Sequence, residues 1–143
     1  MESTWKLVNV CPVLVCNDVK RTTNFYVEKL GFQYAHHFDK SQEFAAVYKD
    51  QIELILVQRK KGKLESNQHR YGSGEDVYIN PSSLDGVRAM HAELKAKNVS
   101  NLTELSMTDY GSLEFSFEDI DGRKIAIGLI ADKDTFFHDS NHL

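Results

Sequence analysis

The chain has 143 residues, a formal net charge of −4, 41% hydrophobic residues and 27% charged residues. This length suits one ordinary domain or two small halves that share a core, and the composition is that of a globular protein, which excludes a disordered chain. The negative charge argues against a nucleic-acid surface, because such a surface needs clustered positive charge. No apolar stretch has the length of a membrane span and no signal peptide is evident, so neither a nucleic acid nor a membrane is expected as a partner.

The two cysteines, Cys11 and Cys16, lie on one predicted strand. Five residues of extended chain separate them by about 16 Å and place them on opposite faces of the strand. They therefore cannot form a disulfide with each other. Two unpaired thiols in a chain of this size favour a reduced, cytoplasmic protein.

The segment 11–32 organises the first half of the chain. A strand is predicted over 7–16, and Asp18 is a good N-cap for a helix over 19–30, which Gly31 ends. Apolar positions with helical spacing form one face of that helix: Val19, Thr22, Phe25, Tyr26 and Leu30. Three further strands are predicted over 32–38, 44–48 and 51–58. The order is therefore β-α-β-β-β.

The second half repeats this order after a polar linker over 59–75. A strand is predicted over 76–80, then a helix capped by Ser83 or Asp85 and ended by Asn98. The apolar stripe of this helix is Val87, Met90, His91 and Leu94. Three strands follow over 99–105, 113–118 and 124–130, and the tail 132–143 either docks its aromatic pair or frays. A constant offset places Cys11 on Tyr78, Asp18 on Asp85 and Gly31 on Asn98.

Three segments, NDVKRTTNFYVEKLGF, QIELILV and FSFEDIDGRKIAIG, resemble the vicinal-oxygen-chelate superfamily of glyoxalase I, bleomycin-resistance and fosfomycin-resistance proteins and extradiol dioxygenases. The resemblance covers about residues 8–131. It implies an α+β fold in which two βαβββ modules with curled mixed sheets form a cupped cavity, commonly in a homodimer. The expected boundaries within one domain, 1–143, are 7–58 for module one, 59–75 for the linker, 76–131 for module two and 132–143 for the tail. The proline usual between the aspartates of the last turn is Ile120 here.

In metal-using members of this superfamily, four ligands lie on the first and last strands of the modules. Carried onto this chain, those positions are Cys11, Glu53, Tyr78 and Ala126. Alanine has no donor atom, and a tyrosine ligand would need its phenol, of pKa about 10, to ionise. One thiolate with one carboxylate matches no common site, so we expect neither a metal nor another cofactor. A site rebuilt with a histidine (His36, His37, His69 or His91) remains the alternative.

Strand alternation extends the four positions into a ligand-binding face. The residues predicted to bind the ligand are Glu53, Tyr78, Asn80, Cys11, Val13, Ile55, Ala126 and Gly128. Glu53 lies on an apolar strand, where an unpaired carboxylate is costly. It either accepts a cationic or hydroxyl-bearing ligand or acts as a general base, or it pairs with Tyr78, Asn80 or an arginine at a module interface.

The predicted function is that of a small-molecule binding protein of the glyoxalase/bleomycin-resistance type without the metal site. Its aliphatic face with few polar groups favours an apolar or aromatic, neutral-to-cationic ligand. Two alternatives stay open. One is a metal-dependent lyase, isomerase or dioxygenase with a rebuilt site, and the other is a structural or regulatory homodimer whose cavity is filled by its own side chains.

Overall fold

The computed structural model describes residues 4–35 and 43–132. The chain divides into two compact units, Met1–Lys61 and Gly62–Leu143. The described elements, in order, are β1 Val13–Cys16, α1 Val19–Leu30, β2 Gln33–Tyr34, β3 Phe44–Lys49, β4 Ile52–Gln58, α2 Asn67–Tyr71, β5 Val77–Ile79, α3 Leu84–Ala96, β6 Ser106–Met107, β7 Ser112–Glu118 and β8 Lys124–Ile130. The predicted α+β class with two βαβββ modules is confirmed.

The sheet of the first unit has the strand order β1-β4-β3-β2. Strands β1 and β4 are parallel, and the other pairs are antiparallel. The Asp18 carboxylate accepts hydrogen bonds from the backbone N–H of Lys20 at 3.0 Å and of Arg21 at 3.3 Å, so it caps α1 as predicted. Gly31 ends the helix with φ +74°, a conformation that glycine adopts without a steric penalty.

The core of the first unit lies between α1 and one face of its sheet. Tyr26 is fully buried and meets the Phe32 ring edge-on, with 5.7 Å between centroids. Leu54 and Leu56 of β4 are also buried. The Gln58 side chain joins the end of β4 to the start of α1, because it accepts from the Val19 N–H at 3.0 Å and donates to the Asn17 carbonyl at 2.7 Å.

The second unit has the equivalent strand order, β5-β8-β7-β6, with β5 parallel to β8. The predicted internal repeat is therefore present at the level of topology. Ser83 is the N-cap of α3, since its hydroxyl accepts from the Gly86 N–H at 3.0 Å, and Asp85 instead lies in the first turn. Asn98 follows the helix with φ +55°, which agrees with the predicted stop.

Aromatic and branched aliphatic side chains form the core of the second unit. Phe115, Phe117, Ile125 and Ile127 are buried on the face of the sheet that packs against α3. His91 of α3 packs edge-on against the Phe115 ring at 4.9 Å, and its Nε2 lies 2.9 Å from the Thr103 carbonyl oxygen. His91 is thus a structural residue that anchors the segment after α3.

The turn between β7 and β8 holds a buried ionic network. Arg123 donates from Nε to Asp119 at 2.9 Å and from a terminal nitrogen to Asp121 at 2.8 Å. Asp119 also accepts from the backbone N–H groups of Asp121 and Arg123. Gly122 closes the turn with φ +84°. Ile120, where the family usually has proline, is compatible with this turn.

Several element boundaries differ from the predictions. The first strand begins at Val13 rather than at residue 7; Pro12, just before it, has no N–H with which to continue the ladder to β4. The segment 99–105 is not a regular strand: Asn101 has φ +52°, and Thr103 contacts Ser116 through its hydroxyl as well as its backbone. The linker contains α2, which is too short to show a helical period in the sequence.

Two parts of the predictions lie outside the described residues. These are the histidine pair His36 and His37 at the end of the predicted strand 32–38, and the tail beyond residue 132. Of that strand, the described portion is β2 with Gln33 and Tyr34. No helix among the described residues is long and apolar enough to cross a membrane.

Candidate ligand-binding faces of the two sheets

In the first unit, strand alternation places the predicted site residues on the face of the sheet opposite α1. Leu54 and Leu56 point to the helix, whereas Glu53 and Ile55 lie on the other face and are half-buried. Val13 is paired with Ile55 and is 59% exposed. The structure thus brings together Val13, Glu53 and Ile55 on this face. Cys11 precedes β1 and lies outside the paired residues.

The Glu53 carboxylate has no hydrogen-bond or ion-pair partner among residues 4–35 and 43–132. Its cross-strand neighbour on β3 is Tyr48, which is 40% exposed. Two of the partners considered for it from the sequence are otherwise engaged: Tyr78 bonds Glu114, and Asn80 bonds Gly128. A half-shielded carboxylate in an aliphatic setting favours the approach of a cationic or hydrogen-donating group.

In the second unit, the equivalent face carries a hydrogen-bonded cluster. Tyr78 pairs with Ala126, and Glu114 pairs with Gly128. The Tyr78 phenol reaches across β8 and donates to Glu114 Oε2 at 2.5 Å, with Ser112 Oγ at 3.0 Å. A second phenol, that of Tyr110, donates to the same Oε2 at 2.9 Å. We call Tyr78, Tyr110 and Glu114 the phenol–carboxylate cluster.

Gly128 makes this bridge possible because it has no Cβ. A Cβ built at this position would lie 2.6 Å from the Tyr78 hydroxyl and 2.7 Å from Glu114 Cγ. The space above Gly128 is therefore occupied by the side chains of Tyr78 and Glu114, and Ala126, also predicted to bind the ligand, is 2% exposed. Asn80 donates from Nδ2 to the Gly128 carbonyl at 2.7 Å, which continues the β5–β8 pairing beyond the end of β5.

The phenols of this cluster hold their protons more firmly than free tyrosine. Burial and the hydrogen bond to Glu114 raise the pKa of Tyr78 from 10.0 to about 12. The hydrogen bond to Glu114 also raises the pKa of Tyr110. Tyr78 is consequently a neutral hydrogen-bond donor throughout the physiological pH range.

The four positions carried over from the metal-using relatives do not fit a divalent ion. Ala126 has no donor atom, and the Tyr78 phenol is protonated and directed to Glu114. Among the described residues no group of three or more histidine, cysteine, aspartate or glutamate side chains could hold a metal. Of the histidines considered for a rebuilt site, His91 contacts Thr103 and His69 lies on α2 near Glu65. The expectation of no resident metal remains a prediction.

The sequence did not identify Tyr48, Tyr110, Ser112 or Glu114 as site residues. Glu114 and Tyr48 could have been found from the pairing pattern. Glu114 alternates with buried Leu113 and Phe115 and lies opposite Gly128. Tyr48 is the residue that a tight β3–β4 hairpin places opposite Glu53. Tyr110 lies in a turn, and no periodicity predicts its orientation.

Alkaline titration should reveal the phenol–carboxylate cluster. We expect Tyr78 to ionise near pH 12, later than exposed tyrosines, when tyrosinate absorbance is followed. Because the folded-state pKa is raised, the stability that the bridge contributes is fully present below pH 10 and is lost between pH 10 and about 12. Glu114→Gln should move the late phase to lower pH, whereas Glu118→Gln on the same strand should not. An unchanged titration in Glu114→Gln would contradict the conclusion that the hydrogen bond to Glu114 raises the pKa of Tyr78.

The fold and these faces define a protein with paired βαβββ repeats, and the comparison with protein families agrees with that class. The family model of the Glyoxalase/Bleomycin resistance protein/Dioxygenase superfamily matches residues 8–127. The chain belongs to this superfamily. No curated protein sequence matches the chain.

Solved structures show the same fold at low sequence identity. A glyoxalase/bleomycin resistance protein/dioxygenase from Nocardioides is 15% identical with a TM-score of 0.66, covering 92% of this chain and 88% of its own. The bleomycin-binding protein of Streptomyces verticillus, solved with copper(II)-bleomycin, is 20% identical with a TM-score of 0.64, covering 91% and 100%. Lactoylglutathione lyase from Agrobacterium tumefaciens is 12% identical with a TM-score of 0.64, covering 85% and 92%.

Proposed function

We propose that this protein binds a small organic molecule, apolar or aromatic in its body and neutral to cationic in charge, without using a metal. The observation that carries the proposal is the Glu53 carboxylate, half-buried on β4 and without a partner among the described residues. Burying a charge is costly unless it is paired, so a ligand that supplies a positive or hydrogen-donating group gains binding energy there.

The surroundings of Glu53 support an apolar ligand body. Val13 and Ile55 provide aliphatic surface on the same face, and Tyr48 provides an aromatic ring beside the carboxylate. Such a face, apolar with few polar groups that fix orientation, is typical of small-molecule sites. In the second unit, Tyr78 and Asn80 are exposed polar groups on the corresponding face, and their position is compatible with a role as ligand contacts.

The superfamily supports the same class of function. The Streptomyces verticillus protein is a bleomycin-binding protein and was solved in complex with copper(II)-bleomycin. The lactoylglutathione lyase relative shares only the fold at 12% identity, and the metal positions carried over from such enzymes lack donors here at Ala126. The missing donor at Ala126 supports a binding protein over a metal-dependent enzyme.

Replacing Glu53 with glutamine tests the proposal. A mixed library of aromatic cations, neutral aromatics and anions is screened by thermal shift, and hits are titrated by calorimetry. We expect cations and neutral aromatics to bind in preference to anions, and Glu53→Gln to weaken a cationic hit by about 1–3 kcal/mol, since a charged hydrogen bond is lost. Glu93→Gln, on the exposed side of α3, is the matched control. Hits that are chiefly anions, or cation binding unchanged in Glu53→Gln, would reject the proposal.

Native mass spectrometry of the same sample separates the other functions considered. One divalent metal per subunit, lost in Glu53→Gln, would favour the metal-dependent lyase, isomerase or dioxygenase. We expect a homodimer, because Val13 and Val15, at 59% and 39% exposure, leave apolar surface on the sheet face opposite α1. A dimer with neither a ligand in the spectrum nor a hit in the screen would favour the structural or regulatory role.

A further inference from the structure

We propose that the phenol–carboxylate cluster of the second unit is a recognition site for an organic ammonium group, with Glu114 as its charged acceptor and the rings of Tyr78 and Tyr110 as its walls. This inference deepens the proposed function, because it names the charged group of the ligand. It depends on residues of the second unit alone and can fail separately from the role of Glu53.

Glu114 has one oxygen available for a ligand. Both phenols donate to Oε2, at 2.5 and 2.9 Å. No donor among the described residues bonds Oε1. A carboxylate oxygen has two lone pairs, so Oε1 can accept from a group that arrives from solvent. The two phenols fix the carboxylate in place, which lowers the conformational entropy that a ligand would otherwise have to remove.

The charge of Glu114 is not neutralised within the described part of the chain, where no ion pair includes it. The phenols are neutral donors, and Tyr78 stays neutral to high pH. The bridge therefore holds a negative charge between two phenol hydroxyls, with an exposed aromatic ring behind each. That combination attracts a cation through the carboxylate and through the negative faces of the rings.

The rings are accessible to a ligand. Tyr78 is 42% exposed and Tyr110 is 50% exposed, although both hydroxyls are hydrogen-bonded. Glu114 itself is only half-buried, so its Oε1 can accept from a small group that arrives from solvent. An ammonium group suits this site better than a metal ion, because one carboxylate and two protonated phenols provide too few ligands for a divalent cation.

Three probes that share one aromatic body test the inference: phenethylamine, 2-phenylethanol and phenylacetate at pH 7. Binding is followed by the backbone amide signals of a ¹⁵N-labelled sample, where the Gly128 amide reports the cluster and the Ile55 amide reports the Glu53 face. We expect phenethylamine to shift the Gly128 signal and to bind about tenfold or more tightly than 2-phenylethanol, the scale of a charged hydrogen bond. Phenylacetate should bind weakest.

Two matched pairs of variants test whether the preference for the amine depends on Glu114 and on the ring of Tyr110. Glu114→Gln should abolish the preference for the amine, whereas Glu118→Gln, four residues later on the same face of β7, should keep it. Tyr110→Ala should weaken amine binding several-fold, and Tyr110→Phe, which keeps the ring but loses the hydrogen bond to Glu114, should weaken it by less. Circular dichroism and thermal unfolding confirm that each variant is folded.

The outcomes separate this inference from the proposed function. No preference for the amine at the Gly128 signal, or an equal loss in Glu114→Gln and Glu118→Gln, overturns the inference. If the amine shifts only the Ile55 signal and its binding is lost in Glu53→Gln, the inference is overturned while the proposed function stands. If the amine binds at Gly128 and Glu53→Gln has no effect on any cationic ligand, the inference stands and the role of Glu53 fails.

Discussion

Replacing Arg123 with methionine is expected to lower the free energy of unfolding by about 3–5 kcal/mol, because it leaves a buried carboxylate without its counter-charge. The Asp119 side chain is fully buried, and the Arg123 side chain is only 10% exposed. Arg123 also holds Asp121, so one substitution removes both ion pairs of the turn. The backbone N–H groups that bond Asp119 cannot replace the lost positive charge.

Urea unfolding monitored by circular dichroism measures this effect. Arg88→Met is the matched control, since it breaks the exposed Arg88–Asp85 pair and should change stability by less than about 1 kcal/mol. Equal midpoints for the two variants would mean that the turn network contributes no more than a surface ion pair. Because the network closes the β7–β8 hairpin, Arg123→Met should also speed hydrogen exchange of the Gly122 and Lys124 amides relative to the core of α1.

Gly128→Ala is expected to destabilise the protein by about 1–3 kcal/mol, the usual cost of overpacking. The added methyl group would lie 2.6 Å from the Tyr78 hydroxyl, 2.7 Å from Glu114 Cγ and 3.1 Å from the Leu113 carbonyl oxygen. The two side chains can move only by breaking their hydrogen bond. The late tyrosine ionisation should therefore shift to lower pH together with the loss of stability.

A double-mutant cycle tests whether the clash with the Tyr78 side chain causes the loss of stability in Gly128→Ala. Tyr78→Ala removes the atom nearest to the new methyl group, so the double variant Tyr78→Ala/Gly128→Ala should be destabilised by less than the sum of the two single variants. Thermal unfolding of the wild type, the two single variants and the double variant gives the coupling free energy between the two positions. Additive effects would show that Gly128 is required for a reason other than the phenol bridge, such as the contact with Leu113.

The sequence predicted local structure well where side-chain chemistry acts over short distances. Asp18 and Gly31 bound α1 as predicted, because capping needs only neighbouring backbone groups. The strand over 124–130 has the predicted bounds, since its apolar run is bordered by a tight turn. The first strand was predicted too long, because the extent of a strand depends on its pairing with a distant partner, here β4, and the paired residues begin only at Val13.

For the candidate site, alternation along β4 correctly separated Glu53 and Ile55 from buried Leu54 and Leu56. Alternation shows which face of a strand a side chain lies on, but it does not predict whether that side chain will cross a neighbouring strand and bond a residue on the next one. Tyr78 was predicted to bind the ligand or to pair with Glu53, and its phenol donates to Glu114. Gly128 was predicted to contact the ligand, and its lack of a Cβ admits the side chains of Tyr78 and Glu114.

The sequence by itself determined the repeated βαβββ order, the helix caps, the face on which Glu53 lies and the lack of a donor atom at Ala126. These features depend on residue type and on local periodicity. Only the tertiary structure decided that Tyr78, Tyr110 and Glu114 share one oxygen above Gly128, because that arrangement depends on the register of β5, β8 and β7. Register is set by the packing of whole strands, and no single segment of the sequence contains it.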